Sequence, residues 1–533
     1  MAKIYSEEQL NNFDKETLIQ LFLMQQEQLN EIDRKLQLVL EQLATANKNK
    51  YGRSSEKMEV SGQIRFAEVD GEMVLLFNEA EALADDNTDE LKEEDLKKRG
   101  TKKKGKRAAD IEHLPKEVIV HEMTQEELEA IYPDEGWKRL PDEIYHRYTF
   151  TPAKVGIEEH RVAVYSGKKT DTIKKAKHPA YLLRGSLVSA SMESSIILAK
   201  YANAVPFARI EKMFEQYGIP VTRQNMANWT IRCAEEYLSL LYDRFKKELL
   251  KGSVIQADET PLLVNKDGRP AGSKSYMWVY RTGKYETAKP IILYDYQRTR
   301  KSEHPREFLK DFNGVCVTDG YQVYHTIEEE REDLTIAGCW AHARRRYDEA
   351  VKALPKSEQK LSMAYIALSQ IQAIYHEEGQ LQDLSPAKRR KVRREKIKPL
   401  VEAYFAWVKK NIDKVLPKSK THSGMTYSLN QEKYLKRFLD DGEIPIDNNT
   451  AEQSIRGFCI GKKNWVMCDT INGAETSAII YSLVETAKAN KLKIYEYFNH
   501  LLTEIPEHMS DTNRDFLNDL LPWSDKIPAE CRK

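Results

Sequence analysis

The chain has 533 residues, enough for several domains. Hydrophobic residues make up 41% of it and charged residues 31%, which allows real cores beneath a heavily charged surface. Lys+Arg and Asp+Glu both total 83, so overall charge carries no case for nucleic-acid binding, and such a case must rest on local basic patches.

Six cysteines are scattered without a CxxC pair. In a chain of this size that reads as reduced thiols in a cytosol, not as a disulfide framework. The opening MAKIYSEEQL lacks the basic-then-apolar pattern of a signal peptide. No apolar run approaches the ~20 residues of a membrane span. A soluble, cytoplasmic protein with no membrane partner is expected.

In chain order, residues 1–50 are expected to hold one long helix. Leu18, Phe22, Leu29, Ile32, Leu36, Val39 and Leu43 recur every three or four residues, with Gln25 as a polar member. That seam predicts a coiled coil and a homo-oligomer, most simply a dimer. Residues 51–109 read as a charged linker: an acidic stretch, EALADDNTDELKEEDL, precedes the basic KKRGTKKKGKR. Residues 110–170 alternate apolar and polar positions and predict a small β-rich module.

Residues 171–250 switch to helical periodicity. PFARIEKMFEQYG places Pro206 at a helix start and Gly218 at its end, and Thr222 can cap a second helix. This is the outline of a helix-turn-helix, with Arg223, Gln224 and Asn228 near the start of the second helix, where base contacts are made. A merely structural helical hairpin gives the same outline.

From residue 251 to 345 the order is three strands, a helix, a strand, a helix or loop, and a strand. SVIQADET is read as a strand ending in Asp258 and GVCVTDGY as a strand ending in Asp319. That order fits an RNase H-like α/β core. Residues 346–440 are helical and rich in Lys and Arg, and read as an insertion; residues 441–495 resume the core and supply Glu452. Residues 496–533 are left as a C-terminal tail.

Three carboxylates suit metal-dependent phosphodiester chemistry. Two Mg²⁺ ions about 3.5–4 Å apart activate a water or a 3′-hydroxyl and stabilise the leaving oxygen. They take oxygen ligands, which Asp258, Asp319 and Glu452 would supply; Mn²⁺ is an alternative ion. Each residue also has a structural reading. Asp258-Glu259 fits a strand-end turn and Asp319-Gly320 a turn dipeptide. Glu452 fits the third position of a capping box begun by Asn449, or a pair with Arg456. Cys339 and His342 form a CxxH, but four-ligand zinc needs two further partners that the sequence does not reveal, so zinc is not expected. His342, Arg344, Arg345, Arg456, Lys462, Lys463 and Trp465 are candidate DNA contacts, with phosphate binding by the basic groups and base stacking by the indole; a solvated basic face and a core Trp are the alternatives.

Several long motifs resemble the insertion-sequence-66 family of DDE transposases: GSVIQADETPLLV, VTDGYQVYH, GCWAHARRRYDEA, IDNNTAEQSIRGFCIGKKNWVM and GAETSAIIYSLVETAKANK. YGRSSEK and AKYANAVPFARIEKMFEQYGIPVTRQNMANW also resemble the family pattern, so the likeness covers nearly the whole chain. The resemblance implies that Asp258, Asp319 and Glu452 are the metal-binding DDE residues. It also implies cleavage and strand transfer at the terminal inverted repeats of a mobile element, with target DNA and a synaptic oligomer, alongside companion proteins of the element. The family usually carries a cysteine-rich zinc module before the helical region. Here residues 110–166 contain no cysteine, and Gly457 stands where a Pro is common. The rival expectations are a domesticated DNA-binding protein that no longer cuts, and an RNase H-like nuclease without strand transfer.

Overall fold

The computed structural model describes residues 180–533 apart from 271. It also describes 156–166, 173–176, the strands at 65–69 and 72–76, and short helical stretches at 15–16, 18–20, 22–27 and 125–126. The chain divides into one compact unit of Arg53–Gly156 and another of Met1–Gly52 with Ile157–Lys533. Most of the expected coiled coil and β-rich module lies outside the described residues. Within 15–27, Leu18 and Phe22 of the predicted seam are exposed.

Inside the stretch expected to be a charged linker, β1 (Arg65–Val69) pairs antiparallel with β2 (Glu72–Leu76). This corrects the linker reading for that segment. Asp70-Gly71, a strong two-residue hairpin signal between two alternating runs, lies between the strands in sequence. In the second unit, β3 (Val164–Ser166) and β4 (Ile173–Lys175) form another small antiparallel pair.

Three helices follow. The first, α1 (Ala190–Ile197), is capped by Ser189. The second, α2 (Phe207–Gln216), ends at Gly218, whose φ of +72° favours glycine. There the Ile219 N–H donates to the Phe214 carbonyl and the Gly218 N–H to the Glu215 carbonyl, closing the helix end in a Schellman pattern. Thr222 then caps α3 (Arg223–Cys233) in a reciprocal box with Asn225. Ile196, Ile210, Phe214 and Met226 form the shared core of these three helices. A π-helical turn carries α3 into α4 (Ser239–Leu249).

The central sheet begins with β5 (Val254–Lys266), β6 (Lys274–Thr282) and β7 (Ile292–Gln297), which are antiparallel neighbours. The chain then passes through α5 (Glu303–Phe308) to β8 (Gly314–Val317), and through α6 (Gln322–Glu329) to β9 (Leu334–Ala337). The strand order is β7-β6-β5-β8-β9, with β8 and β9 parallel to β5. Beyond β9 come α7 (Trp340–Lys352), α8 (Met363–Gly379), α9 (Pro386–Val392), α10 (Lys398–Asn411) and α11 (Lys420–Asn430). Their apolar faces join a core around Trp340, Tyr347, Ile371, Tyr404, Phe405 and Met425. In the basic run of this segment, Arg389 and Arg393 are buried. The Arg389 guanidinium donates to the carbonyls of Leu381, Gly442 and Leu384, and Arg393 pairs with Glu378.

The chain returns to the sheet in α13 (Asn449–Trp465), after the short α12 (Glu432–Lys436). A strand not foreseen from the sequence, β10 (Cys468–Thr470), pairs parallel with the far end of β5. Next, α14 (Ile471–Ala489) covers β7. Its Ser482 and Thr486 hydroxyls accept the Tyr294 and Ile292 N–H groups at 2.7 and 3.0 Å. Those donors lie on the free side of the edge strand, so the helix shields it from a further strand. The region expected to be a tail is folded: α15 (Ile494–Glu507) is followed by buried Leu517, Leu520, Leu521 and Ile527. The leucines at 517, 520 and 521 supply an apolar face that a solvated tail would lack. Among the described residues, no helix is long and apolar enough to cross a membrane.

Glu193 on α1 is fully buried. Its Oε1 accepts the Thr230 hydroxyl at 2.8 Å, while Oε2 has no partner. Burial pushes its carboxyl up from 4.5 to about 8. The neutral acid is therefore favoured in the folded state, so stability is full below about pH 4.5 and falls as pH rises to about 8. Glu193→Gln is expected to flatten that fall, read as melting temperature between pH 5 and 9.

Candidate active site

The site opens where β5 loses its partner. β8 pairs with β5 only over Val254–Gln256, and β10 joins at Val264, so one side of β5 is unpaired between them. Asp258 lies in this gap, in the middle of a strand that runs to Lys266. This corrects the expectation that the strand ends there: an antiparallel partner, β6, holds the backbone past Asp258 through Leu263. Pro261, with no N–H to donate, sits in the same gap, where a missing ladder bond costs little.

Alternation along β5 puts Gln256, Asp258 and Thr260 on one face. That face meets α13. The Gln256 amide donates to the Asp447 carbonyl and to Asn448 Oδ1, both at 3.2 Å, and accepts the Thr450 hydroxyl at 2.6 Å. Asn448 is fully buried and returns a bond from Nδ2 to the Ala257 carbonyl at 2.7 Å. Its backbone N–H donates to Cys339 Sγ at 3.2 Å, and the Arg281 guanidinium donates to the Thr450 carbonyl and the Ser454 hydroxyl. The polar run before α13 is thus a set of ties that fixes the start of the helix beside Asp258.

Glu452 lies in the first turn of α13. Its carboxylate does not fold back to cap the helix. Oε2 accepts from Arg345 Nη2 at 2.9 Å, and Oε1 stands 3.8 Å from His342 Nδ1. The Asn449 side chain instead donates to Asp447 at 2.9 Å. Asp319 follows β8. Its Oδ1 accepts the Tyr321 N–H and its carbonyl accepts the Tyr427 hydroxyl, both at 2.9 Å, so α11 of the helical segment reaches into the site. Gly320 has φ +91°, and a Cβ there would meet the Tyr427 hydroxyl at 3.1 Å.

Like charges gather here. Burial drives the Asp258 carboxyl well above its usual range, and Glu259, Asp319 and Glu452 add repulsion. Burial and Asp319 raise Glu259 to about 7, against the pull of its ion pair with Arg300. The Arg300 guanidinium also lies 3.8 Å over the Tyr321 ring. Burial lowers His342, while the charges of Asp319 and Glu452 oppose that shift. Asp258, Asp319 and Glu452 therefore share one electrostatic neighbourhood, although their oxygens do not close on a common point. The group whose donor atoms do come together, all within 4.8 Å, is Cys339, His342 and Glu452.

The residues expected at DNA take varied positions. Arg223, Gln224 and Asn228 are exposed at the start of α3. Arg344 is exposed on α7, and Arg345 is engaged with Glu452. Arg456 and Lys463 are exposed on α13, while the Lys462 ammonium donates to the Pro261 carbonyl. Trp465 packs near Tyr481, and the Lys200 ammonium lies 4.0 Å over its ring. Sequence reading missed Gln256, Asn448, Tyr427 and the Glu259–Arg300 pair. The DNN run was itself the available signal for Asn448: three polar residues at a helix start mark a cap, and a doubled Asn leaves one amide over for a tie elsewhere.

The protein is of the mixed α/β class, with carboxylates gathered along the unpaired side of β5. Residues 185–476 match the family described as Transposase IS66 family, residues 482–523 match its IS66 C-terminal element, and residues 39–119 match a region described as Transposase C of IS166 homeodomain. The first match spans more than half of the chain, and the chain belongs to that family. Two uncharacterised proteins of Sinorhizobium fredii, y4qI and y4jD, are each 28% identical to it. The first aligns over 72% of this chain and 71% of its own length, the second over 66% and 69%. The paired-end complex of Mos1 transposase with a left transposon end aligns at 11% identity and TM-score 0.13, over 50% of this chain and 82% of that one, too slight a superposition to bear on the fold.

Asn448→Ala leaves the Ala257 carbonyl and the Gln256 amide buried without their partner. It is expected to destabilise the unit by about 1–3 kcal/mol, read by chemical denaturation followed through tryptophan fluorescence.

Proposed function

We propose that this chain is an RNase H-like DNA transposase in which Asp258, Asp319 and Glu452 form a DDE metal site. The observation that carries the reading is the convergence of charge: acids from β5, the turn after β8 and the first turn of α13 repel one another in a half-buried spot of a chain from a transposase family. The strand order, with β5 central, antiparallel to β6 on one side and parallel to β8 on the other, supports the RNase H-like assignment.

The donor set fits a hard divalent cation. Asp258 is half-buried among like charges, and Glu452 Oε1 is buried without a hydrogen-bond partner. Carboxylate oxygens suit Mg²⁺ or Mn²⁺. When bound, two such ions would supply an activated water or 3′-hydroxyl and stabilise the departing oxygen. Asp258 and Asp319 would hold them, each carboxylate already oriented by a backbone N–H at 2.9 Å. Arg300 neutralises Glu259 and leaves the outward charge to the two aspartates.

Arg345 and His342 hold Glu452 outside a closed triad. A DNA phosphate competes for Arg345 through charge-assisted bonds of the same kind. Drawing Arg345 away frees Glu452 to join the aspartates, so the ligand set is completed only with DNA in place. The exposed α3 positions Arg223, Gln224 and Asn228 offer a surface for element ends, and exposed Arg344, Arg456 and Lys463 offer phosphate contacts nearer the acids. The exposed Leu18 and Phe22 support pairing with a second copy.

Donor-end duplexes with Mg²⁺ test the reading. The parent chain is expected to nick the element end and join it to target DNA. Asp258→Asn, Asp319→Asn and Glu452→Gln, each checked for an unchanged fold, should each lose more than about 10²-fold in cleavage rate, since even outer-shell partners of metals cost about 10–100-fold. Variants that cut at parental rates sink the site assignment. Cleavage without joining would mark a nuclease instead.

A further inference from the structure

Cys339, His342 and Glu452 stand out because their donors have been gathered but not used. Cys339 immediately precedes α7, and His342 lies one turn along it, so both project from the same end of the helix. Glu452 arrives from the first turn of α13. One donor atom from each lies within 4.8 Å of the other two. His342 Nδ1 and Glu452 Oε1 are both buried and have no hydrogen-bond partner, although they stand only 3.8 Å apart. Buried polar atoms are almost always satisfied, and two orphans facing each other mark a place for a missing ligand.

We propose that these three residues form a thiophilic metal site that takes zinc. A thiolate, an imidazole and a carboxylate make a donor set that zinc or cobalt prefers and magnesium does not. Donors on a common zinc lie roughly 3.3–3.6 Å apart, so the observed spread closes with side-chain shifts of about 1 Å. The surroundings are suited to the bound form. The Asn448 N–H already donates to Cys339 Sγ at 3.2 Å, while burial keeps the free thiol protonated until a metal displaces the proton. Arg345 occupies Glu452 Oε2 and leaves Oε1 for the metal, so the ion pair survives as an outer support. Three protein donors leave one position for water.

The site shares Glu452 with the proposed DDE triad, and in this respect alone the inference rests on that reading. Zinc held here keeps Glu452 on the Arg345 side and away from Asp258 and Asp319. It would therefore oppose assembly of the triad, acting as a brake in the absence of DNA.

The test is spectroscopic and does not require cleavage. The full chain, stripped of metal, is titrated with Co²⁺ and then with Zn²⁺ against a chromogenic chelator. A thiolate-to-cobalt charge-transfer band is expected, displaced by one equivalent of zinc. Cys339→Ser should abolish the band and weaken zinc binding at least about tenfold, and His342→Gln should weaken binding similarly, both with parental melting profiles. Cys459→Ser, which removes a thiol outside the cluster, should keep the band. No band in the folded parent chain, or a band retained by Cys339→Ser, overturns the proposal. Either result leaves the cleavage assay above to stand or fall separately.

Discussion

Everything at the site depends on a small knot of buried amide bonds between Gln256 of β5 and the start of α13. Gln256 bonds both Asn448 and Thr450, and Asn448 also bonds the backbone one residue before Asp258. The two partners lie 192 residues apart in sequence. Loop-closure entropy grows only slowly with length, so a long helical segment can be inserted between them. The segment must nevertheless return its ends to one register. The knot sets that register, with Cys339 as a third anchor through the Asn448 N–H. Because amide bonds are directional and buried, a slip by one residue would leave several polar groups unpaired at once.

Against that fixed frame the charges are deliberately unbalanced. Two of the four neighbouring acids have arginine partners: Glu259 with Arg300 and Glu452 with Arg345. The aspartates are oriented by backbone N–H groups, which aim a carboxylate without cancelling its charge. Burial of such acids is costly unless a cation or a proton arrives. The fold tolerates that cost because the surrounding ladders and the α14 cover hold the sheet whatever the charge state of the site.

Much of this was legible in the sequence. The order of strands and helices followed from alternation, turn dipeptides and apolar runs, and the helical hairpin around Gly218 and Thr222 followed from cap chemistry. The three acids were put forward on motif resemblance more than on pattern. What escaped has a common cause: it depends on partners distant in the chain. Asp258 was assigned to a strand end because the sequence does not reveal that β6 continues beside it. Leu517 and Leu520 were left in a tail because their stretch has no regular period and the core they join is built from distant parts of the chain. Buried cations were equally hard to foresee, since Arg389 and Arg393 belong to a run read only as part of a basic insertion yet serve carbonyls and an acid inside the helical segment. Cys339 and His342 showed no neighbouring donor in the sequence because Glu452, which the fold brings within 4.8 Å of them, lies more than a hundred residues away.

The Lys200 contact has a mechanical meaning. Lys200, in the turn that follows α1, is buried and lies over the rings of Phe207 and Trp465 at 4.3 and 4.0 Å. Phe207 begins α2 of the helical hairpin, and Trp465 ends α13. The helix that carries Glu452 is therefore clamped at both ends, to the sheet at its first turn and to the hairpin module at its last. A helix fixed in this way behaves as a strut. Any tilt of the hairpin module is delivered along its length to the residue at the other end.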